Sequence, residues 1–350
     1  MTGIILTQYN GKIIGPIAKL LGYLMNAIFE FLNMIKIPNI GLSIIIFTIV
    51  IYLLLMPLTI KQQKFSKLSA KMNPELQAIQ KRYKDKKDND SMMAMNAETK
   101  AVYAKYGVSP SGSCLQLLIQ MPILFALYRV IYNMPAYVTR IRDAFGVIAD
   151  SIIASGKVSE IQNLKVAAAY ARNFAIDERN AVIDVLYVMN NKDLAAYATG
   201  HEDVLEQISH FNNFLGINIA NSPSFMISDA WNAEGGPQIL LIIAALLIPL
   251  LSAFTQWLNV KLMPQQAQQD DKNVSDQQAS MQQSMKMMNN FMPIMSAVFC
   301  FTLPSGMGLY WIVGAVVRSI QQVLINKHID KMDIDEVIKI IKTAKSDVEA

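Results

Sequence analysis

Two arginines interrupt the long apolar runs of this sequence, and a guanidinium inside such a run is a reason to look for function. Arg129 stands near one end of the run Cys114 to Met134, where its long stem can carry the charge back to the lipid headgroups. Arg318 lies about 11 residues into the run Met307 to Ile325, roughly 16 Å deep at the helical rise. Helical spacing sets Trp311, Ala315 and Gln322 on its face. Three readings stand: an arginine lining a water-filled polar cavity, one buried in a structural hydrogen-bond network, or one just reaching the headgroups. Other polar groups within apolar runs are Thr48 and Tyr52, then Gln116, Gln120 and Tyr128, then Ser252, Thr255 and Gln256. Singly, each is the kind of group that ties one helix to another. Together with one cation they predict a hydrated groove that accepts polar chain.

Enzyme chemistry is not signalled. There is no GxSxG, HExxH, P-loop or dinucleotide fingerprint. His201, His210 and His328 are scattered singly, and Cys114 and Cys300 lack a CxxC or histidine neighbour. We therefore expect no catalytic residues, no metal and no cofactor.

Those candidate residues need helices that cross a bilayer. The chain has 350 residues, 53% hydrophobic and 17% charged, with mean hydropathy +0.28. The apolar residues collect in runs separated by strongly polar stretches. The first stretch, Ile13 to Ile35, carries Lys19, Asn26, Glu30 and Asn33 on one face. That pattern fits an amphipathic helix in the membrane interface, the alternative being a span whose polar stripe faces other helices. We expect an all-α polytopic membrane protein with five transmembrane helices. Residues 1–36 form a tail and interfacial helix, 37–60 the first span, 61–110 a helical hairpin and 111–134 the second span. Residues 135–237 form a region with a helical insertion, 238–258 the third span and 259–287 a loop. Residues 288–303 and 306–326 make the last two spans, joined by Pro304-Ser305-Gly306, and 327–350 form a tail.

Charge sets the orientation. Lys61 to Gly107 has eleven Lys/Arg against five Asp/Glu, a net +6, and Pro135 to Pro237 has seven against twelve, a net −5. A cytoplasmic hairpin, an external insertion, an external N-terminus and a cytoplasmic C-terminus satisfy both signals. The tail from Lys327 lacks a basic block, so no specific nucleic-acid site is expected. The first residues carry neither a secretory n-region nor an Arg-rich transit pattern, which favours the bacterial cell membrane.

The chain resembles the YidC/Oxa/Alb membrane insertase family, in its five-span bacterial form. The resemblance rests on Met56-Pro57-Leu58-Thr59 with Lys61-Gln62-Gln63, on Tyr106-Gly107-Val108-Ser109-Pro110, and on Leu117-Leu118-Ile119-Gln120-Met121-Pro122-Ile123. It continues through Phe291-Met292-Pro293, Phe301 to Gly306, Leu309-Tyr310-Trp311 and Ile320-Gln321-Gln322. The resemblance implies a chaperone that receives polar segments of nascent membrane proteins in a hydrated groove and releases their hydrophobic spans into lipid. It implies the ribosome and the Sec translocon as partners. On this reading the groove is lined by Thr48, Tyr52, Gln120, Gln256, Tyr310, Trp311 and Arg318.

Two features depart from the family pattern. The arginine usual in the first span is replaced by Tyr52, and we expect Arg318 to supply the charge instead. Residues of about 138–210 lengthen the external linker, either as an accessory docking surface or as a tolerated insertion. Two other classes predict different behaviour. A channel or solute transporter needs a continuous pore or paired ionisable groups, yet no Asp or Glu falls within an expected span. A dedicated scaffold would hold one stable partner.

Overall fold

The computed structural model describes residues 8–9, 11–83, 88–106, 112–189, 191–233, 235–262, 287, 291–329 and 331. Helices α1 (Ile14–Met34), α2 (Ile40–Leu54), α3 (Met56–Tyr83), α4 (Asn89–Lys105) and α5 (Gly112–Tyr132) come first. Shorter helices follow: α6 (Met134–Tyr137), α7 (Thr139–Ala154), α8 (Val158–Gln162), a 3-10 segment (Lys165–Tyr170) and α9 (Ala171–Phe174). Then come α10 (Glu178–Val188), α11 (Asn191–Tyr197) and α12 (Glu202–Asn212), the strands β1 (Asn213–Phe214) and β2 (Ile217–Asn218), and α13 (Pro223–Trp231). The chain closes with α14 (Ile239–Leu262), α15 (Phe291–Thr302) and α16 (Ser305–Ile329). The expected cytoplasmic loop, apart from its first residues and Met287, and most of the expected C-terminal tail lie outside the described residues.

Among the described residues, α14 and α16 are long and apolar enough to cross a membrane, with mean hydropathies of 2.4 and 1.4. α14 leaves Leu240, Leu250 and Phe254 exposed, the apolar surface that lipid would cover. α2 and the start of α3 pass the same test as a pair bent by 57° at Leu55. Pro57 explains the bend. It lacks an N–H and its ring crowds the carbonyl four residues earlier, so one helix stops and another starts. The new helix opens with Thr59 N–H donating to Leu55 O at 3.0 Å. The helix that begins at Met56 runs on to Tyr83, so no helix end marks the expected boundary between span and hairpin at residue 60. α15 is apolar but shorter.

The chain divides into two compact units, one of Met1–Ile51, Gln120–Phe254 and Met295–Gly314, the other of Tyr52–Ile119, Thr255–Ile294 and Ala315–Ala350. In the first unit, α1 buries Ala18, Met25, Phe29 and Leu32 and leaves Leu20, Tyr23, Phe31 and Met34 exposed. Two residues of its polar stripe, Asn26 and Glu30, meet α7, while Lys19 is exposed. Asn26 Oδ1 accepts from Thr139 N–H at 2.9 Å, and Glu30 pairs with Arg140 at 3.1 Å. Asn26 and Glu30 thus tie α1 to α7, and Leu20, Tyr23, Phe31 and Met34 form an exposed apolar stripe. The helices between α6 and α13 pack around Phe145, Ile148, Val182, Val185 and Leu186. Between α12 and α13 stands the β1–β2 hairpin, turned through Leu215 and Gly216, both at positive φ.

Several helix ends gather at that hairpin. Asn39, just before α2, donates through Nδ2 to Asn213 O at 2.8 Å, and Gly41 lies so close to Phe214 that a Cβ would overlap its ring. Ser305 N–H and Oγ donate to Asn221 O, and Gly306 N–H to Ile219 O. At Gly306 an added Cβ would meet Ile219, Ile44 and Ile131 at 2.9–3.1 Å. The start of α2, the end of α5 and the α15–α16 turn are thus held at one end of this unit.

In the second unit, α3 and α4 pack together around Leu68, Met72, Ile79 and Val102. Asp88 caps α4 by accepting from Ser91 N–H at 2.9 Å. Ion pairs Arg82–Glu98 and Lys105–Glu75, at 2.6 and 2.7 Å, flank the core, and Lys105 and Tyr106 hold the Glu75 carboxyl below its usual range. The pairs are largely exposed and the core is not, so we expect the core to dominate. Met72→Ala should destabilise the hairpin by about 2–5 kcal/mol and make it sensitive to limited proteolysis. Arg82→Ala should leave the proteolysis pattern of the membrane-embedded chain unchanged.

Candidate functional site

The site begins with a polar stripe on an otherwise apolar helix. α16 carries Arg318, Ser319, Gln321, Gln322 and Asn326 at helical spacing. Ser319, Gln321 and Gln322 are buried and Arg318 is half-buried. A helix of this length and hydropathy tolerates such residues only where other polar groups meet them.

Arg318 meets two. Nη1 donates to the hydroxyl of Tyr52, and Nη2 donates to Oε1 of Gln256 at 3.3 Å. The guanidinium also lies 5.3 Å from the Tyr52 ring centroid, within cation–π range. Among the described residues no carboxylate pairs with it. The charge is therefore held by neutral dipoles, which orient it without cancelling it.

Neighbouring bonds fix the three helices that supply these groups. Gln321 Nε2 donates to Tyr52 O at 2.8 Å, and Gln322 Nε2 to Leu262 O at 2.8 Å. Asn259 Nδ2 donates to Ser319 Oγ at 3.2 Å. Gln321 Oε1 and Asn326 Oδ1 are buried without a hydrogen-bond partner among the described residues, leaving acceptors for a donor. Sequence reasoning missed Asn259 and Ser319. Their one available signal was placement: Asn259 stands three residues after Gln256, and Ser319 next to Arg318.

The other expected groove residues belong to the first unit. Thr48 is fully buried and its Oγ1 donates to Ile44 O at 2.6 Å, so its hydroxyl is bonded within its own helix. Tyr310 is buried, and Trp311 is half-buried with its ring 6.0 Å from that of Phe299. Gln120 is half-buried. Close by, the hydroxyls of Ser252 on α14 and Ser296 on α15 are hydrogen-bonded to each other. Structure thus joins Tyr52, Gln256 and Arg318 into one cluster. Arg129 lies outside it, with its guanidinium 4.5 Å from the Tyr9 ring centroid.

Long apolar helices that carry a buried polar stripe define a helical membrane protein. The sequence model of the 60Kd inner membrane protein family matches residues 31–332, and the chain belongs to that family, the YidC/Oxa/Alb family. The membrane protein insertase YidC of Fusobacterium nucleatum is 40% identical over 117 residues, which are 32% of this chain and 55% of that protein. The membrane protein insertase YidC of Oceanobacillus iheyensis is 45% identical over 95 residues, 27% of this chain and 37% of that protein. The membrane protein insertase MisCA of Bacillus subtilis is 43% identical over 98 residues, 28% of this chain and 37% of that protein. The matched stretches span between about a third and a half of these curated relatives. The chain is a bacterial membrane protein.

Proposed function

We propose that this chain inserts other membrane proteins into the bilayer. The observation that carries the reading is Arg318, a half-buried cation on a membrane-length helix whose neighbours Tyr52 and Gln256 are neutral. A catalyst of covalent chemistry would need reacting groups beside it. A polar cluster facing transient guests needs only donors, acceptors and a charge with capacity to spare. In this reading α2, α5, α14, α15 and α16 are five spans, the N-terminus lies outside and the α3–α4 hairpin and C-terminus lie in the cytoplasm. Tyr52, Gln256 and Arg318, with Thr48, Gln120, Tyr310 and Trp311, line a hydrated groove. A nascent chain lends its polar segment to the groove and its apolar span to lipid. Family membership and the names of the relatives support the activity, and the +6 hairpin supports the orientation. The ribosome and the Sec translocon are the proposed partners on the cytoplasmic side and in the bilayer.

Site-specific photocrosslinking tests this. Probes at Tyr52 and at Trp311 are placed in membranes translating a short single-span substrate with an acidic N-terminal tail. Both probes should capture the tail, with less captured in Arg318→Ala. If neither captures substrate while the protein is folded and abundant, the insertase mechanism fails and a channel becomes the better reading.

A further inference from the structure

A second polar site lies in the first unit. It is a cleft of about 540 Å³ between the β1–β2 hairpin, α13 and the start of α14. Six of its lining residues are amides: Asn212, Asn213, Asn218, Asn221, Asn232 and Gln238. Lys192 and Asp229 add one charge of each sign, so the lining is neutral in sum. Phe225, Met226 and Leu241 supply apolar surface.

Some of these amides have local duties. Asn218 Oδ1 accepts from Ala220 N–H at 3.0 Å and shapes the turn after β2. Asn232 Nδ2 donates to Ser228 O and finishes α13. Asn212 is different. It is 4% exposed, it lines the cleft, and its Oδ1 has no hydrogen-bond partner among the described residues. A buried acceptor left unpaired is costly, and leucine of similar size would avoid the cost. The oxygen is satisfied once a donor enters the cleft.

Side-chain amides offer a donor and an acceptor on one rigid plane, as a peptide group does. A cluster of them with apolar patches and no net charge matches the repeating N–H, C=O and side chains of extended polypeptide. One lysine beside one aspartate is a poor match for phosphate. Position supports the same guest. The cleft reaches the first turn of α14 through Gln238 and Leu241, and Asn221 also holds the α15–α16 turn. In the proposed orientation these ends lie outside the membrane, on the side to which an inserted chain sends its polar tail. We infer that the cleft binds an extended, uncharged stretch of polypeptide, the translocated tail of a membrane protein during insertion. The inference rests on the insertase reading.

The test uses the full chain in membranes with a photoreactive residue at Gln238, at Tyr52, or at Ile176 outside the cleft. The substrate is a stalled single-span protein with an uncharged N-terminal tail. The tail should crosslink at Gln238 and Tyr52 but not at Ile176. Asn212→Leu should lower the Gln238 yield about fivefold or more, as expected for losing a hydrogen bond to a buried acceptor, and leave Tyr52 unchanged. Asn232→Leu, at an exposed rim position that does not threaten folding, should lower it about twofold. Capture at Tyr52 with none at Gln238 overturns the cleft and leaves the insertase reading standing. Adducts at Gln238 that carry sugar or lipid instead of tail overturn it in favour of a glycan or headgroup site. Silence at both positions in folded protein removes both readings.

Discussion

Arg318→Ala should reduce insertion of substrates with acidic translocated tails about tenfold, while substrates with neutral tails lose much less. A carboxylate about 4 Å from the guanidinium gains roughly 4 kcal/mol at the effective dielectric of a protein surface, and water in a groove screens much of that. A remainder of about 1.4 kcal/mol is a factor of ten. The present neighbours do not cancel the charge, because Tyr52 and Gln256 contribute only an oxygen each. Arg318→Lys should keep part of the effect. Its single ammonium preserves the charge but cannot reach two acceptors with planar geometry. Tyr52→Phe removes one acceptor and leaves the cation less restrained, so acidic tails should be retained at least as well. Insertion of paired substrates that differ only in tail charge, measured by protease protection, reads this out. Equal loss for both tails in Arg318→Ala would mean that the arginine is structural.

The helical segment around α10 should be more stable at pH 5.5 than at pH 8 by about 2 kcal/mol, and Asp184→Asn should abolish the difference. Asp184 on α10 is 1% exposed, and burial is the main reason that its carboxyl is pushed up to about 7. Asn133, after α5, and Asn173, on α9, donate to it and oppose that rise, while nearby Asp177 adds to it. Its Oδ2 has no hydrogen-bond partner among the described residues, which gives the proton a place to reside. Buried Tyr170 interacts with Asp184, Tyr132 and Tyr187, and burial holds the Tyr170 and Tyr187 phenols un-ionised at these pH values. The folded value lies above the unfolded carboxylate value of about 4, so ionisation opposes folding. Below about pH 4 both states are protonated and nothing is lost. Stability then falls as pH rises from about 4 to about 7, by about 4 kcal/mol in all, and is level above that. Amide hydrogen exchange in α10, corrected for intrinsic rates, measures the opening free energy. The same pH dependence in Asp184→Asn would assign it to another group.

How much of this was legible beforehand differs between residues. Arg318 stood out by depth alone, since a charged side chain in the middle of an apolar run is rare whatever the fold. Tyr52 stood out as a polar group within an apolar run and as a departure from a family pattern. Nothing local indicated that its hydroxyl receives the guanidinium from a helix 266 positions later. Asp184 and Asn212 drew no attention, because their segments read as polar insertion and burial of one residue in such a segment depends on neighbours far along the chain. Asn39 carried no signal of its own, and Ser305 read only as part of the turn Pro304-Ser305-Gly306. Their partners, Asn213 and Asn221, make them the links that gather the helix ends.

By itself the sequence determined the kind of molecule. Hydrophobic runs of membrane length, a basic segment beside an acidic one, and Pro57 at the break are local properties of chain and solvent. They decide which stretches become helices in lipid and where one bends. Tertiary structure alone decided which polar atoms are paired and which are left wanting, because pairing depends on distance between residues with no relation in sequence. That distinction separates Arg318, oriented by neutral partners, from Thr48, whose hydroxyl is bonded within its own helix. It also buried Asn212, whose Oδ1 has no hydrogen-bond partner among the described residues, an outcome of placement rather than of residue type.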